Sequence, residues 1–130
     1  MKPGLPALVL GLLVAFPAAA DPVLECNGGT ATTAEIAACI AETEIRVNLA
    51  LEAALDFAMA VATDLDEMTG EAATLPALDE AQAAWRDFRD AHCAFIAMSF
   101  GDPEAAGIEE GACRVELGRA RVSDLLNAVR

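Results

Sequence analysis

An all-α fold, a small antiparallel three-helix bundle or hairpin stapled by two disulfides, is predicted by three features of the 130-residue chain. Apolar residues recur at spacings of three, four and seven in three stretches, the period of one buried helical face. No stretch alternates with period two for long enough to suggest a sheet. Four cysteines in so short a chain supply the staples that a modest core needs.

The elements follow in order. Lys2, the apolar run Leu8 to Phe16 and Ala18-Ala19-Ala20 form a secretory signal peptide over residues 1–20, with cleavage before Asp21. The apolar run is shorter than the roughly 20 residues a membrane span takes, so no membrane insertion is expected after cleavage. Residues 21–130 form one domain. Asn27-Gly28-Gly29-Thr30 reads as a loop, and Thr32 with Glu35 reads as a capping box that opens the first helix. Its stripe is Ile36, Ile40, Val47, Leu51, Ala54, Ala58, Val61, Leu65 and Met68, and Gly70 ends it. Leu75-Pro76 opens the second helix, with the stripe Leu78, Ala81, Trp85, Phe88, His92 and Ile96. Gly101-Asp102-Pro103 marks a turn. The third helix starts near Ile108 or Gly111 and carries Val115, Val122, Leu125 and Val129.

Composition narrows the function. The chain has 21 Asp and Glu against 8 Lys and Arg, and losing Lys2 with the leader makes the balance more acidic still. Nucleic acid is therefore excluded as a partner, because there is too little basic charge to neutralise phosphates. A basic protein is attracted instead. Cys26, Cys39, Cys93 and Cys113 are an even set in an exported chain and read as two disulfides rather than a zinc site with His92, since no Cys-x-x-Cys pair exists. Of three connectivities, Cys26–Cys39 and Cys93–Cys113 is favoured: the first is a local bridge that staples the N-terminal loop to the first helix, and the second joins positions that fall near each other in an antiparallel hairpin. Cys113, however, faces away from Val115 and Val122 on a continuous helix.

No catalytic set emerges. Ser99 and Ser123 are the only serines and neither lies in a Gly-x-Ser-x-Gly elbow. The run Asp64-Leu65-Asp66-Glu67 lacks the alternating ligands and central glycine of a calcium loop. A glycosidase would need a buried carboxylate pair, and the spacing selects none. No enzyme, no cofactor and no metal is expected. Arg89 shares the apolar face of the second helix and needs an acceptor or a route to water. Glu44, at the edge of the first stripe, is one candidate for that acceptor.

Ala81, Gln82, Trp85, Phe88, Arg89, Asp90 and Cys93 complete the pattern Ala-Gln-x-x-Trp-x-x-aromatic-Arg-Asp-x-x-Cys. Cys26, Cys39 and Cys113 take three further cysteine positions. Leu117 and Arg121 match a closing Leu-Thr-x-x-Arg, with Gly118 where threonine is usual, and Glu44 stands where the first helix carries an aspartate. This arrangement resembles the LprI-like lysozyme-inhibitor family of exported bacterial proteins. The resemblance implies a helical, disulfide-bonded periplasmic or secreted protein that binds a basic lysozyme-type enzyme and blocks peptidoglycan cleavage. The alternative is a periplasmic structural or interaction module with another partner and no catalysis. The candidate partner-binding loop is Phe100 to Glu110, in which Phe100, Asp102, Glu104 and Glu109 offer an aromatic group, a rigid turn and acids.

Overall fold

The computed structural model describes residues 20–129, so all of the expected leader except Ala20 lies outside the described residues. Four helices follow one another: α1 (Pro22–Asn27), α2 (Thr33–Thr69), α3 (Thr74–Met98) and α4 (Pro103–Ala128). No strand occurs among the described residues. The all-α expectation holds, but the count of three helices is corrected to four. The extra element, α1, replaces part of the expected N-terminal loop. Asp21 caps it, accepting from the Val23 and Leu24 N–H groups, and Pro22 fits its first turn.

The long helix α2 opens on the expected capping box. Thr32 Oγ1 accepts from Glu35 N–H at 3.3 Å, and Glu35 accepts from Thr32 N–H at 2.7 Å. It runs 37 residues, roughly 55 Å at about 1.5 Å per residue. Gly70 stops it with φ 73°, a left-handed conformation that suits glycine. The stop is tied directly to the next start. Asp66 accepts from the N–H groups of Ala73, Thr74 and Leu75 at 3.3, 2.8 and 3.0 Å. Ala73 offers α3 no side-chain cap, so the last turns of α2 supply one. Those three donors, the Leu75 N–H foremost, hold the Asp66 carboxyl below its ordinary pKa.

The helices run up, down and up, which leaves α2 and α4 parallel and makes their contact the tightest in the molecule. Gly111 lies against Ile40 and Gly118 against Val47. Leu125 joins Leu51, Ala54 and Ala58 in the main core cluster. Each of these three α4 positions is seven residues from the next, as are Ile40, Val47 and Ala54, so one seam repeats along both helices. A β-carbon on Gly118 would lie 2.5 Å from Val47 Cγ1, and one on Gly111 2.7 Å from Ile40 Cγ2. The missing side chains are what allow the backbones to come so close.

The third helix of the prediction begins earlier than expected. Asp102 accepts from Ala105 N–H at 2.9 Å and Pro103 takes the first position, so the turn at 101–103 is itself the start of α4. The puzzle over Cys113 resolves with it. Helix α4 is wedged between α2 and α3 and buries two faces: Gly111 and Gly118 meet α2 while Cys113 bonds to Cys93 of α3. The stripe of α3 is also rotated from its expected phase. Ala81 and Phe88 are exposed, whereas Gln82 and Cys93 are buried. The disulfide and a bond from Arg121 to Gln82 draw that side of the helix inward. At the far end of α2, Leu65 and Met68 are exposed.

Candidate functional site

The central motif forms a seam on α3 facing α4. Trp85 packs against the main core cluster. Two guanidiniums approach its ring, Arg89 at 5.2 Å and Arg121 at 5.9 Å from the centroid. Arg121 Nε donates to Gln82 Oε1 at 3.0 Å, linking two helices across 39 residues of chain. Arg89 Nε donates to Asp90 at 2.9 Å, and this bond keeps the Asp90 carboxyl below its usual pKa. Phe88, 54% exposed, stacks on His92 with centroids 5.3 Å apart.

One expected pair is not made. Arg89 turns to its neighbour Asp90 rather than to Glu44, and Glu44 faces Arg114 of α4 at 3.9 Å. Arg114 also bonds Glu110 one turn earlier at 2.7 Å. The physical reason is reach: Asp90 is adjacent on the same helix and holds Arg89 without any interhelix constraint, while α4 brings its own arginine to Glu44.

The four cysteines pair as Cys26–Cys39 and Cys93–Cys113, leaving no free thiol. The first bridge ties α1 to the second turn of α2, and the second ties α3 to α4. Among the described residues no cluster of three or more His, Cys, Asp or Glu side chains is placed to hold a metal ion. A second joint holds α1 against α4. Arg119 donates to both carboxylate oxygens of Glu25, at 2.9 and 2.8 Å, and depresses the Glu25 pKa.

The candidate partner-binding loop is shorter than expected. Phe100, Gly101 and Asp102 form the turn, while Glu104 and Glu109 belong to the first two turns of α4. Asp102 spends one carboxylate oxygen on its cap. Glu104 is exposed and Glu109 half-buried. The residues that sequence reasoning passed over lie just before this turn. Phe95 is 63% and Met98 83% exposed, and with Phe100 they leave an apolar corner where α3 ends and α4 begins. Their signal was available: large apolar residues off the stripe of a helix have no core to enter.

Gln82, Arg114 and Gly118 were likewise assigned no contact. A cleft of about 300 Å³ opens between α2 and α3, lined by Asn48, Glu52, Gln82, Arg86 and Arg89 with leucines at its base.

The fold and its joints define a class: a disulfide-stapled helical module whose cysteines are all structural. The sequence profile of the family described as lysozyme inhibitor LprI matches residues 25–125, from the α1–α4 joint to the last buried residue of the seam, and the chain belongs to that family. No curated protein and no solved structure matches the chain. No helix among the described residues is long and apolar enough to cross a membrane.

Proposed function

We propose that this protein acts in the periplasm or outside the cell as a non-catalytic inhibitor that blocks a lysozyme-type peptidoglycan hydrolase by direct contact. Membership of the lysozyme-inhibitor family carries the reading. The charge supports it: a chain with 21 acidic against 8 basic residues speeds encounter with a basic enzyme. Two disulfides are compatible with an oxidising compartment.

The contact surface we assign is the α3–α4 corner. Phe95, Met98 and Phe100 supply apolar area, and Asp102 and Glu104 supply an acidic rim, with Glu109 one turn further along α4. The Trp85 ring, Arg121 and Asp90 are left to the protein's own stability, because Arg121 bonds Gln82 and Asp90 bonds Arg89.

The test is inhibition of lysozyme turnover by the mature chain at low and at moderate salt. Inhibition that weakens with salt, and that Phe95→Ser or Glu104→Lys reduces at unchanged thermal stability, is the expected result. Full turnover with the protein in large excess excludes that enzyme as the target. A defined envelope protein captured in its place, with no lysozyme, would establish the interaction-module reading.

A further inference from the structure

The cleft between α2 and α3 carries donors that the molecule itself leaves unused. Gln82 is 3% exposed, yet its Nε2 has no hydrogen-bond partner. The direction of that amide is not free. Arg121 is donor-only, so the oxygen must face it and the NH₂ group must take the opposite end. Gln82 lines the cleft, and beside it stand the guanidiniums of Arg86 and Arg89 and the amide of Asn48. A buried donor without an acceptor is destabilising, which marks this wall of the cleft as polar and unsatisfied.

Charge marks the same place. Three arginines, Arg86, Arg89 and Arg121, gather around Gln82 and Trp85. Among the described residues only Arg89 of these three makes an ion pair, with Asp90. The other ion-paired arginines, Arg46, Arg114 and Arg119, each lie against glutamates. Set against Glu52 and Asp90, Arg86, Arg89 and Arg121 leave one positive charge in excess within a strongly acidic chain, beside an unpartnered buried donor.

We infer that the α2–α3 cleft, through Arg86 and Arg89 with Gln82 in its wall, is a binding site for a carboxylate whose neighbouring N–H or O–H donates to Glu52 at the rim. The donors match a carboxylate in geometry and charge. Glu52 alone among the lining residues is an obligate acceptor, which selects a ligand carrying a donor next to its acid. Both a free small acid and the carboxyl end of a peptide chain have this chemistry. The inference is independent of the lysozyme reading, since the cleft lies along the α2–α3 seam and shares no residue with the α3–α4 corner.

The experiment is an NMR titration of the mature, oxidised protein, following the Gln82 side-chain NH₂ and the Arg86 and Arg89 Nε–H signals. The probes are N-acetylglycine, its neutral amide, and a pentapeptide with either a free or an amidated C-terminus. Saturable shifts of these signals with a free-acid probe, and none with its amide, are expected. Arg86→Gln, which removes an exposed and unpaired side chain, should weaken binding about tenfold while leaving the melting temperature unchanged. Response to N-acetylglycine assigns a small acid, and response to the free-ended peptide alone assigns a chain end. No saturable shift with either acid, equal shifts with the amides, or undiminished binding in Arg86→Gln overturns the site.

Discussion

Helix α2 has two seams built on opposite plans. Against α4 it is close: glycines face Ile40 and Val47, and Ala54 and Ala58 pack with Leu125. Against α3 it is polar and parted, with Gln82, Arg86 and Arg89 opposite Asn48 and Glu52 across an open cleft. A seam of small residues gains dispersion contacts along its whole length and tolerates no added atom. A seam of long polar side chains leaves room, and its cost is met elsewhere, by the Cys93–Cys113 bridge and the Arg121–Gln82 bond that tie α3 to α4. The close seam and the open one lie on different sides of one helix.

The sharpest way to separate the two seams is to cut α3 loose from α4. Cys93→Ser with Cys113→Ser should cost about 2–5 kcal/mol of stability. Hydrogen exchange should show the loss first in α3, with the α2–α4 seam still protected. Uniform loss of protection would mean that the two seams form one cooperative unit.

The close seam is probed by Gly118→Ala. Overpacking costs about 1–3 kcal/mol, against a gain of about 1 kcal/mol in helix propensity. Val47 is β-branched and cannot swing its methyl away. Adding Val47→Ala should therefore recover part of the loss, a non-additivity that a double-mutant cycle reads directly. Additive effects would contradict the close approach.

On the polar seam, Gln82→Leu removes the acceptor of Arg121 Nε and should cost about 1–3 kcal/mol by chemical denaturation. Gln82→Glu keeps an acceptor and gives Arg121 an opposite charge, so it should retain most of the stability at pH 7. Equal losses in both variants would show that the Arg121 bond is of no consequence.

The smallest effect concerns the α1–α4 joint. The folded pKa of Glu25 is depressed by Arg119, so its contribution is present above the unfolded value near 4.5 and is lost as pH falls through the lower folded value. Because both side chains are more than a third exposed, the contribution at pH 7 is below about 1 kcal/mol. Glu25→Gln should lower the melting temperature slightly at pH 7 and leave it unchanged at strongly acidic pH. An undiminished difference at low pH would exclude the ion pair as its source.

Much of this architecture was legible in the residues. Thr32 and Glu35 marked the start of α2, Gly70 its end, and the cysteine positions their pairing. The missed helix starts share one cause. Asp21-Pro22 and Asp102-Pro103 were read as a cleavage junction and a breaker, yet an aspartate followed by proline is also a cap followed by a first turn. The rotation of α3 was not legible, because burying Gln82 depends on Arg121, a partner 39 residues away that periodicity cannot see. The Glu44 candidate for Arg89 failed for a related reason: α4, which brings Arg114 to Glu44, lies far along the chain, while Asp90 holds Arg89 from the next position. The glycine spacing of 111 and 118 was visible as a pattern, but its meaning needed the facing Ile40 and Val47.

The parallel seam has a consequence for the order of assembly. Helix α2 finds its closest partner in the last helix of the chain, so the seam along Ile40 and Val47 stays incomplete until Gly111 and Gly118 have been synthesised. A nascent chain that ends within α3 holds most of the helical sequence but lacks Ile108, Ala112, Val115 and Leu125, the share of the core that α4 supplies. The core therefore closes only when the final element of the chain arrives.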